Sequence, residues 1–146
     1  MGAIGMTLNT DLMFSSKTDM HSTPQAFYDG LDQEFHFTLD PCATADNAKC
    51  EKFYTEADDG LAQSWEGETV FMNPPYGREI GAWIEKCTAE MYSARTIVAL
   101  LPARTDTRWF HDYIYGKAEI RFVKGRLKFG DAKNAAPFPS MVVIWR

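Results

Sequence analysis

Thr96-Ile97-Val98-Ala99-Leu100-Leu101-Pro102 is the stretch that decides the fold. An uncharged apolar run of this length, stopped by proline, reads as a strand buried on both faces. That is the situation of a parallel strand with helices on either side. Working outward, Glu68-Thr69-Val70-Phe71-Met72 reads as a second strand. It stops at Asn73-Pro74-Pro75-Tyr76-Gly77, which can continue neither a strand nor a helix. Between the two strands, Ile80, Trp83, Ile84, Cys87 and Met91 recur at helical spacing and predict a helix from Arg78 to about Tyr92. Strand, helix, strand argues for an α/β fold: a mostly parallel central sheet with helices on both faces.

Upstream, Thr23-Pro24 has the form of a helix start, a cap followed by proline at the first position, and predicts a short helix through about Leu31. Phe35-His36-Phe37-Thr38-Leu39 alternates and predicts a strand that ends in Asp40-Pro41-Cys42-Ala43. Lys52-Phe53-Tyr54-Thr55 reads as a brief strand, and Asp58-Asp59-Gly60-Leu61 as a turn. Downstream, Thr105 or Asp106 is placed to cap a helix holding Trp109, Phe110 and Tyr113. Glu119 to Val123 and Arg126 to Phe129 both alternate around Gly125 and predict a hairpin or bulged turn. Ser140 to Trp145 is the last strand. Residues 1–19 are polar and weakly patterned, the composition of a flexible arm, and residues 20–146 show no linker that would split them.

Composition bounds the function. The 146 residues are 45% hydrophobic and 24% charged, enough to build one sizeable core and too apolar for a disordered chain. No apolar run approaches the roughly 18–20 residues of a membrane span. The start lacks a basic-then-apolar leader, and Met6 stands where a myristoylation signal wants Ser or Thr. A net charge of −5 excludes a chain that is basic all round but leaves room for a local basic patch. Cys42, Cys50 and Cys87 are odd in number and scattered, which suits reduced thiols in a cytosol and offers no metal-binding spacing.

Three sharp loops follow strands in this reading: Asp40-Pro41-Cys42-Ala43, Asn73-Pro74-Pro75-Tyr76 and Pro102-Ala103-Arg104-Thr105-Asp106. In a parallel sheet they share one edge, the edge at which such sheets bind ligands. The second loop carries chemistry. Its prolines stiffen the chain, and the Asn73 side-chain oxygen and the Pro74 carbonyl become two acceptors aimed at one spot beside the Tyr76 ring. Two acceptors next to a π face suit an exocyclic amine on a planar ring. Such an amine is a weak nucleophile because its lone pair is delocalised. Accepting both N–H groups draws the lone pair back onto nitrogen without a strong base. The alternative is a stiff turn that only ends a strand.

Asn-Pro-Pro-Tyr resembles the amino-methyltransferase motif shared by adenine-N6, cytosine-N4 and some glutamine methyltransferases. A longer series of pieces resembles one branch, the phage and prophage DNA N6-adenine methyltransferase family. The pieces, in order, are Thr23-Pro24 with Phe27; Leu39 to Ala43 with Asn47; Asp58 to Leu61 with Trp65; Asn73 to Gly77 with Trp83; Leu101 to Thr107 with Trp109-Phe110-His111; and Gly125 to Phe129. Together they cover residues 20–146.

The resemblance implies a Rossmann-like class I methyltransferase fold and S-adenosylmethionine as cofactor. Asp40-Pro41-Cys42-Ala43 then stands in place of a Gly-rich loop, with Asp40 meeting the cofactor's ammonium and small Ala43 admitting close approach. Thr23 and Pro24 would touch its methionine end, Asp58 or Asp59 its ribose hydroxyls or adenine amine, and Phe53 its adenine ring. Asn73, Pro74, Pro75 and Tyr76 become the target-amine site, with Tyr76 stacking on a base swung out of the duplex. Arg104, Arg108, Arg126 and Lys128 become phosphate contacts and His111 a base-pocket residue. The implied partner is double-stranded DNA, not a membrane, and the implied setting is the bacterial host cytoplasm. No separate target-recognition domain is expected, so sequence reading would fall to loops, the N-terminal arm or the second subunit of a homodimer. The motif alone also admits cytosine N4, RNA adenine or a protein glutamine as the amine, or a non-catalytic derivative. A nicotinamide-binding domain is disfavoured, since no G-x-G-x-x-G follows a strand.

Overall fold

Residues 22–130 and 134–146 are described by the computed structural model; the arm expected over residues 1–19 lies outside them. Four strands run parallel: β1 (Leu39–Asp40), β2 (Lys52–Phe53), β3 (Thr69–Met72) and β4 (Thr96–Pro102). Leu39 lies opposite Val70, and Val70 opposite Ile97. The last strand, β6 (Ser140–Trp145), runs antiparallel between β4 and β5 (Glu119–Phe122), giving the order β2-β1-β3-β4-β6-β5. This is the Rossmann-like, mostly parallel sheet that the sequence predicts, with β6 reversed.

Helices cover both faces, and β3 shows why. Consecutive strand residues point to opposite sides of a sheet. Phe71 meets the Tyr28 ring, centroids 5.0 Å apart, from helix α1 (Gln25–Phe35). Its neighbour Met72 meets the Cys87 sulfur, 3.6 Å away, from helix α2 (Ile80–Glu90). Helix α3 (Arg108–Tyr113) lies beside α2, where the Tyr113 hydroxyl donates to Glu85 at 2.9 Å. All four residues of β3 and all six of β6 are buried, as a sheet covered twice demands. Among the described residues no helix is long and apolar enough to cross a membrane.

Several local expectations give way to tertiary structure. Helix α1 runs to Phe35 rather than Leu31, so Phe35 to Thr38 is not strand. Asp32 stops the helix: its carbonyl accepts from His36 N, which is left-handed at φ 58°, and its carboxylate accepts from Phe37 N, both at 2.8 Å. Thr23 is not the cap either, because Pro24 holds that position and its carbonyl accepts the first helical bond from Tyr28 N. The cap of α3 is Thr107, whose hydroxyl accepts from Phe110 N at 3.3 Å, not Thr105 or Asp106. Arg126 to Phe129 forms no strand; β5 pairs instead with β6, whose second edge would otherwise lie open.

Candidate functional site

The chain passes from β1 to β2 on one side of it and then crosses back from β2 to β3 on the other. That makes the gap beyond their carboxyl ends the switch point where such sheets bind ligands. Asp40 closes β1 there and Asn73 follows β3 directly. A polar cavity of about 20 Å³ is lined by Thr23, Asp40, Cys42 and Asn73, with Asn47 and Lys49 at its side. Beside it, and also bounded by Cys42, opens a cleft of about 470 Å³. Pro41, Ala43, Asp59, Leu61, Pro75 and Trp83 are among its lining residues.

Asp40 is a buried carboxylate. Its oxygens accept from the backbone N–H groups of Lys49 at 3.0 Å and Cys42 at 3.4 Å, so the loop after β1 wraps around it. Burial raises its pKa to about 6 in spite of those bonds, and no described lysine or arginine forms an ion pair with it. Burial also keeps the neighbouring Cys42 thiol protonated.

Of the acidic pair, Asp59 lines the cleft and Asp58 does not. Asp58 accepts from Thr55 N at 2.9 Å and from the Thr55 hydroxyl at 3.1 Å, which holds the turn. Asp59 takes a left-handed conformation, φ 55°, ahead of the 3₁₀ turn Gly60–Ala62. That turn is pinned from behind: the Trp65 indole N–H donates to the Gly60 carbonyl at 3.1 Å. The Trp65 ring stacks on Trp83, and Lys86 of α2 lies over it at 5.4 Å. A side chain at position 60 has no room, since a Cβ there would sit 2.1 Å from the Pro41 carbonyl oxygen and 3.1 Å from Trp83. Gly60→Ala is therefore expected to force the two walls of the cleft apart. The unfolding midpoint should drop by about 2–8 °C, read by differential scanning calorimetry, with ligand affinity in the cleft falling as well.

The loop after β3, expected to hold the target amine, divides. Pro74 is buried beside Asn73, and no described backbone N–H donates to its carbonyl. Asn73 donates from Nδ2 to the Thr23 hydroxyl at 2.9 Å. Tyr76 does not present an open ring face in this structure. It is 5% exposed, its hydroxyl donates to the Leu100 carbonyl at 3.0 Å, and its ring meets Phe129 and Phe138 edge-on.

Other expected site residues fall outside both cavities. Phe53 pairs in register with Asp40 from β2, and Pro24 caps α1. His111 is exposed, and its ring nitrogen bonds the Thr105 carbonyl at 2.8 Å, a local brace for the loop after β4. Arg104 reaches the Tyr76 carbonyl at 3.5 Å and lies over the Phe138 ring. Arg108, Arg126 and Lys128 are exposed.

Sequence reasoning passed over Glu56, Glu79 and Trp83, all of which line the cleft. Glu56 had a signal: it is the first acidic residue beyond the carboxyl end of β2, where Rossmann-like sheets place a ribose-binding carboxylate. Trp83 entered only as part of the resemblance, because its spacing on α2 reads as core.

Residues 11–146 match the family model described as DNA N-6-adenine-methyltransferase (Dam). A DNA N-6-adenine-methyltransferase of Haemophilus phage HP1 is 28% identical over 138 residues, 89% of this chain and 80% of its own. One of Escherichia phage T1 is 32% identical over 111 residues, 75% of this chain; that stretch is 46% of the T1 protein, so the match spans less than half of its length. A solved structure assigned to an RNA methyltransferase of Pyrococcus horikoshii superposes at TM-score 0.45 and 14% identity, over 64% of this chain and 50% of its own, too loosely to carry an argument. With the family model covering the whole sheet and both loops at its switch point, the chain belongs to the DNA N-6-adenine-methyltransferase (Dam) family.

Proposed function

We propose that this chain methylates the N6 amine of adenine in double-stranded DNA, using S-adenosylmethionine. The observation that carries the reading is that Asp40 and Asn73, from adjacent parallel strands, line one small cavity next to a larger cleft. Cofactor half and amine half thus meet at the switch point.

The residues present fit the cofactor. A buried carboxylate with no ion-pair partner among the described residues favours a positive ligand, and Asp40 suits an α-ammonium group. The cleft combines apolar walls at Leu61 and Trp83 with the carboxylates of Glu56 and Asp59, a set suited to a nucleoside. Asp59 rather than Asp58 is the acceptor for the ribose or adenine of the bound nucleoside, with Glu56 as the second. When bound, S-adenosylmethionine supplies a methyl group made electrophilic by a positively charged sulfonium.

Asn73 Oδ1 and the Pro74 carbonyl accept the two N–H groups of the target amine and draw its lone pair onto nitrogen. The prolines hold both acceptors in place before the substrate arrives, so little reorganisation remains to be done in the transition state. Tyr76 supports the loop from the core side through Leu100.

Charge distribution supports DNA as the substrate. Residues 1–102 carry six Lys and Arg against sixteen Asp and Glu, while residues 103–146 carry nine against four. The acidic net charge thus conceals a basic C-terminal portion. Arg104, Arg108, Lys124, Arg126 and Lys128 are exposed there, and none forms an ion pair with another described residue. Replacing Lys124, Arg126 and Lys128 together by glutamine is expected to weaken duplex binding and to flatten its log–log salt dependence by about 2–3, near 0.9 for each phosphate no longer neutralised. Fluorescence anisotropy across a salt series reads this. An unchanged slope removes the three from the interface.

The direct test is transfer from methyl-tritiated S-adenosylmethionine to unmethylated duplex DNA, with product nucleosides resolved by mass spectrometry. N6-methyladenine is the expected product. N4-methylcytosine, or no labelled DNA from protein that binds the cofactor in calorimetry, would overturn the assignment of adenine in DNA.

A further inference from the structure

We infer that Thr23 is a positioning residue for Asn73: its hydroxyl accepts from the carboxamide nitrogen and holds the side chain in the rotation that leaves its oxygen for the target amine. The inference rests on Asn73 being an acceptor for that amine, and it reassigns Thr23 from the cofactor to the target.

The two ends of a carboxamide are nearly the same size, but one accepts and the other donates. Presented to an N–H group, the oxygen attracts and the nitrogen repels. A site that needs an acceptor must therefore fix the rotation of the group, and a proline-stiffened backbone does not do so by itself. One bond that does so is present: Asn73 Nδ2 donates to Thr23 Oγ1 at 2.9 Å, across fifty residues of sequence. In a planar carboxamide, holding the nitrogen at one point directs the oxygen to the other side.

Thr23 is built to hold still. It is 5% exposed. Pro24 beside it has a ring-locked φ of −56° and accepts the first bond of α1 from Tyr28 N at 3.0 Å. On the other side, the Ser22 carbonyl accepts from Gly130 N at 2.9 Å, tying the segment to the connection between β5 and β6. The hydroxyl is thus anchored from both flanks before any ligand is present. Its expected helix-capping role is absent, because Pro24 occupies the cap.

The two assignments of Thr23 separate in kinetics. Thr23→Val keeps the shape and removes the hydroxyl; Thr23→Ser keeps the hydroxyl. With the full-length protein, tritiated S-adenosylmethionine and duplex DNA, Thr23→Val is expected to lower kcat about 10–100-fold while the cofactor Kd from calorimetry stays within about twofold. Thr23→Ser is expected to recover kcat to within about threefold of the parent. A cofactor Kd that rises in step with the loss of rate would overturn the inference in favour of a cofactor contact. So would an undiminished kcat in Thr23→Val, or a loss in Thr23→Ser equal to that in Thr23→Val. If Thr23→Val and Thr23→Ala both lose the far-ultraviolet circular dichroism of the parent, the residue is structural and the inference falls. Asn73→Ala, run beside them, tests the underlying reading separately: full activity there removes Asn73 from the site whatever Thr23 does.

Discussion

Asn73→Ala is expected to lower kcat by about 10²–10³-fold or more and to leave the cofactor Kd within about twofold. The rate falls because one of two preorganised acceptors for the amine is gone. The remaining acceptor, the Pro74 carbonyl, belongs to a buried backbone and persists in the variant. One acceptor leaves the second N–H group without a preorganised partner, and the lone pair stays partly delocalised into the ring. The effect therefore belongs to the transition state, in which the amine nitrogen becomes tetrahedral, and appears in kcat. Cofactor affinity is spared because the carboxylates suited to the ammonium and the nucleoside stand elsewhere, Asp40 at the end of β1 and Glu56 and Asp59 on the loop after β2. Single-turnover rates at saturating DNA, together with calorimetry, separate the two quantities. A normal turnover rate would remove Asn73 from the chemistry.

Asp40→Asn is expected to weaken the cofactor about 100-fold or more, as removal of a buried ionic partner does. In the parent, cofactor affinity should rise and ligand-free stability fall as pH climbs through about 6, and the same substitution should abolish both dependences. The opposite signs follow from one pKa. Burial raises Asp40 from an ordinary 3.8 to about 6. A raised folded-state value means that the neutral form suits the fold. Its stabilising contribution is fully present below about pH 4 and is lost as pH rises through about 6. Above that, the buried carboxylate costs the ligand-free protein about 3 kcal/mol. Ammonium binding needs the charge that folding resists, so the parent's cofactor affinity should decline as pH drops below about 6. Asp40→Asn should abolish that decline. Titration calorimetry between pH 5 and 8 and thermal unfolding of the ligand-free proteins check both signs. An unchanged Kd in Asp40→Asn would detach the residue from the cofactor. Asp40→Ala should weaken the cofactor similarly and cost more stability than Asp40→Asn, because it leaves the N–H groups of both Cys42 and Lys49 without an acceptor where Asn leaves one.

Much of the site was legible because its signals are local. Proline after a buried strand is such a signal, since it acts through its own φ and its missing N–H. That is why Asp40-Pro41, Asn73-Pro74 and Leu101-Pro102 could each be placed at a strand's carboxyl end. Glu56 was equally local and was overlooked, because β2 holds only two residues and marks its own end weakly. Asp58 and Asp59 could not be told apart. Adjacent carboxylates in a turn differ only in where the backbone turns them, and here Asp58 bonds back to Thr55 while Asp59 faces the cleft.

The sequence by itself determined β3, β4 and the helices that follow them, the edge at which the loops converge, and the residue types that can hold an amine or an ammonium. Each depends on side-chain periodicity or on the stereochemistry of proline, which act over a few residues. Only the tertiary structure decided that β6 runs backwards between β4 and β5, that the Tyr76 ring lies against Phe129 and Phe138, and that Thr23 holds Asn73. Those pairings join segments tens of residues apart. Which partners meet there depends on filling the shared core and pairing its buried polar groups, and neither condition is written into any one stretch of chain.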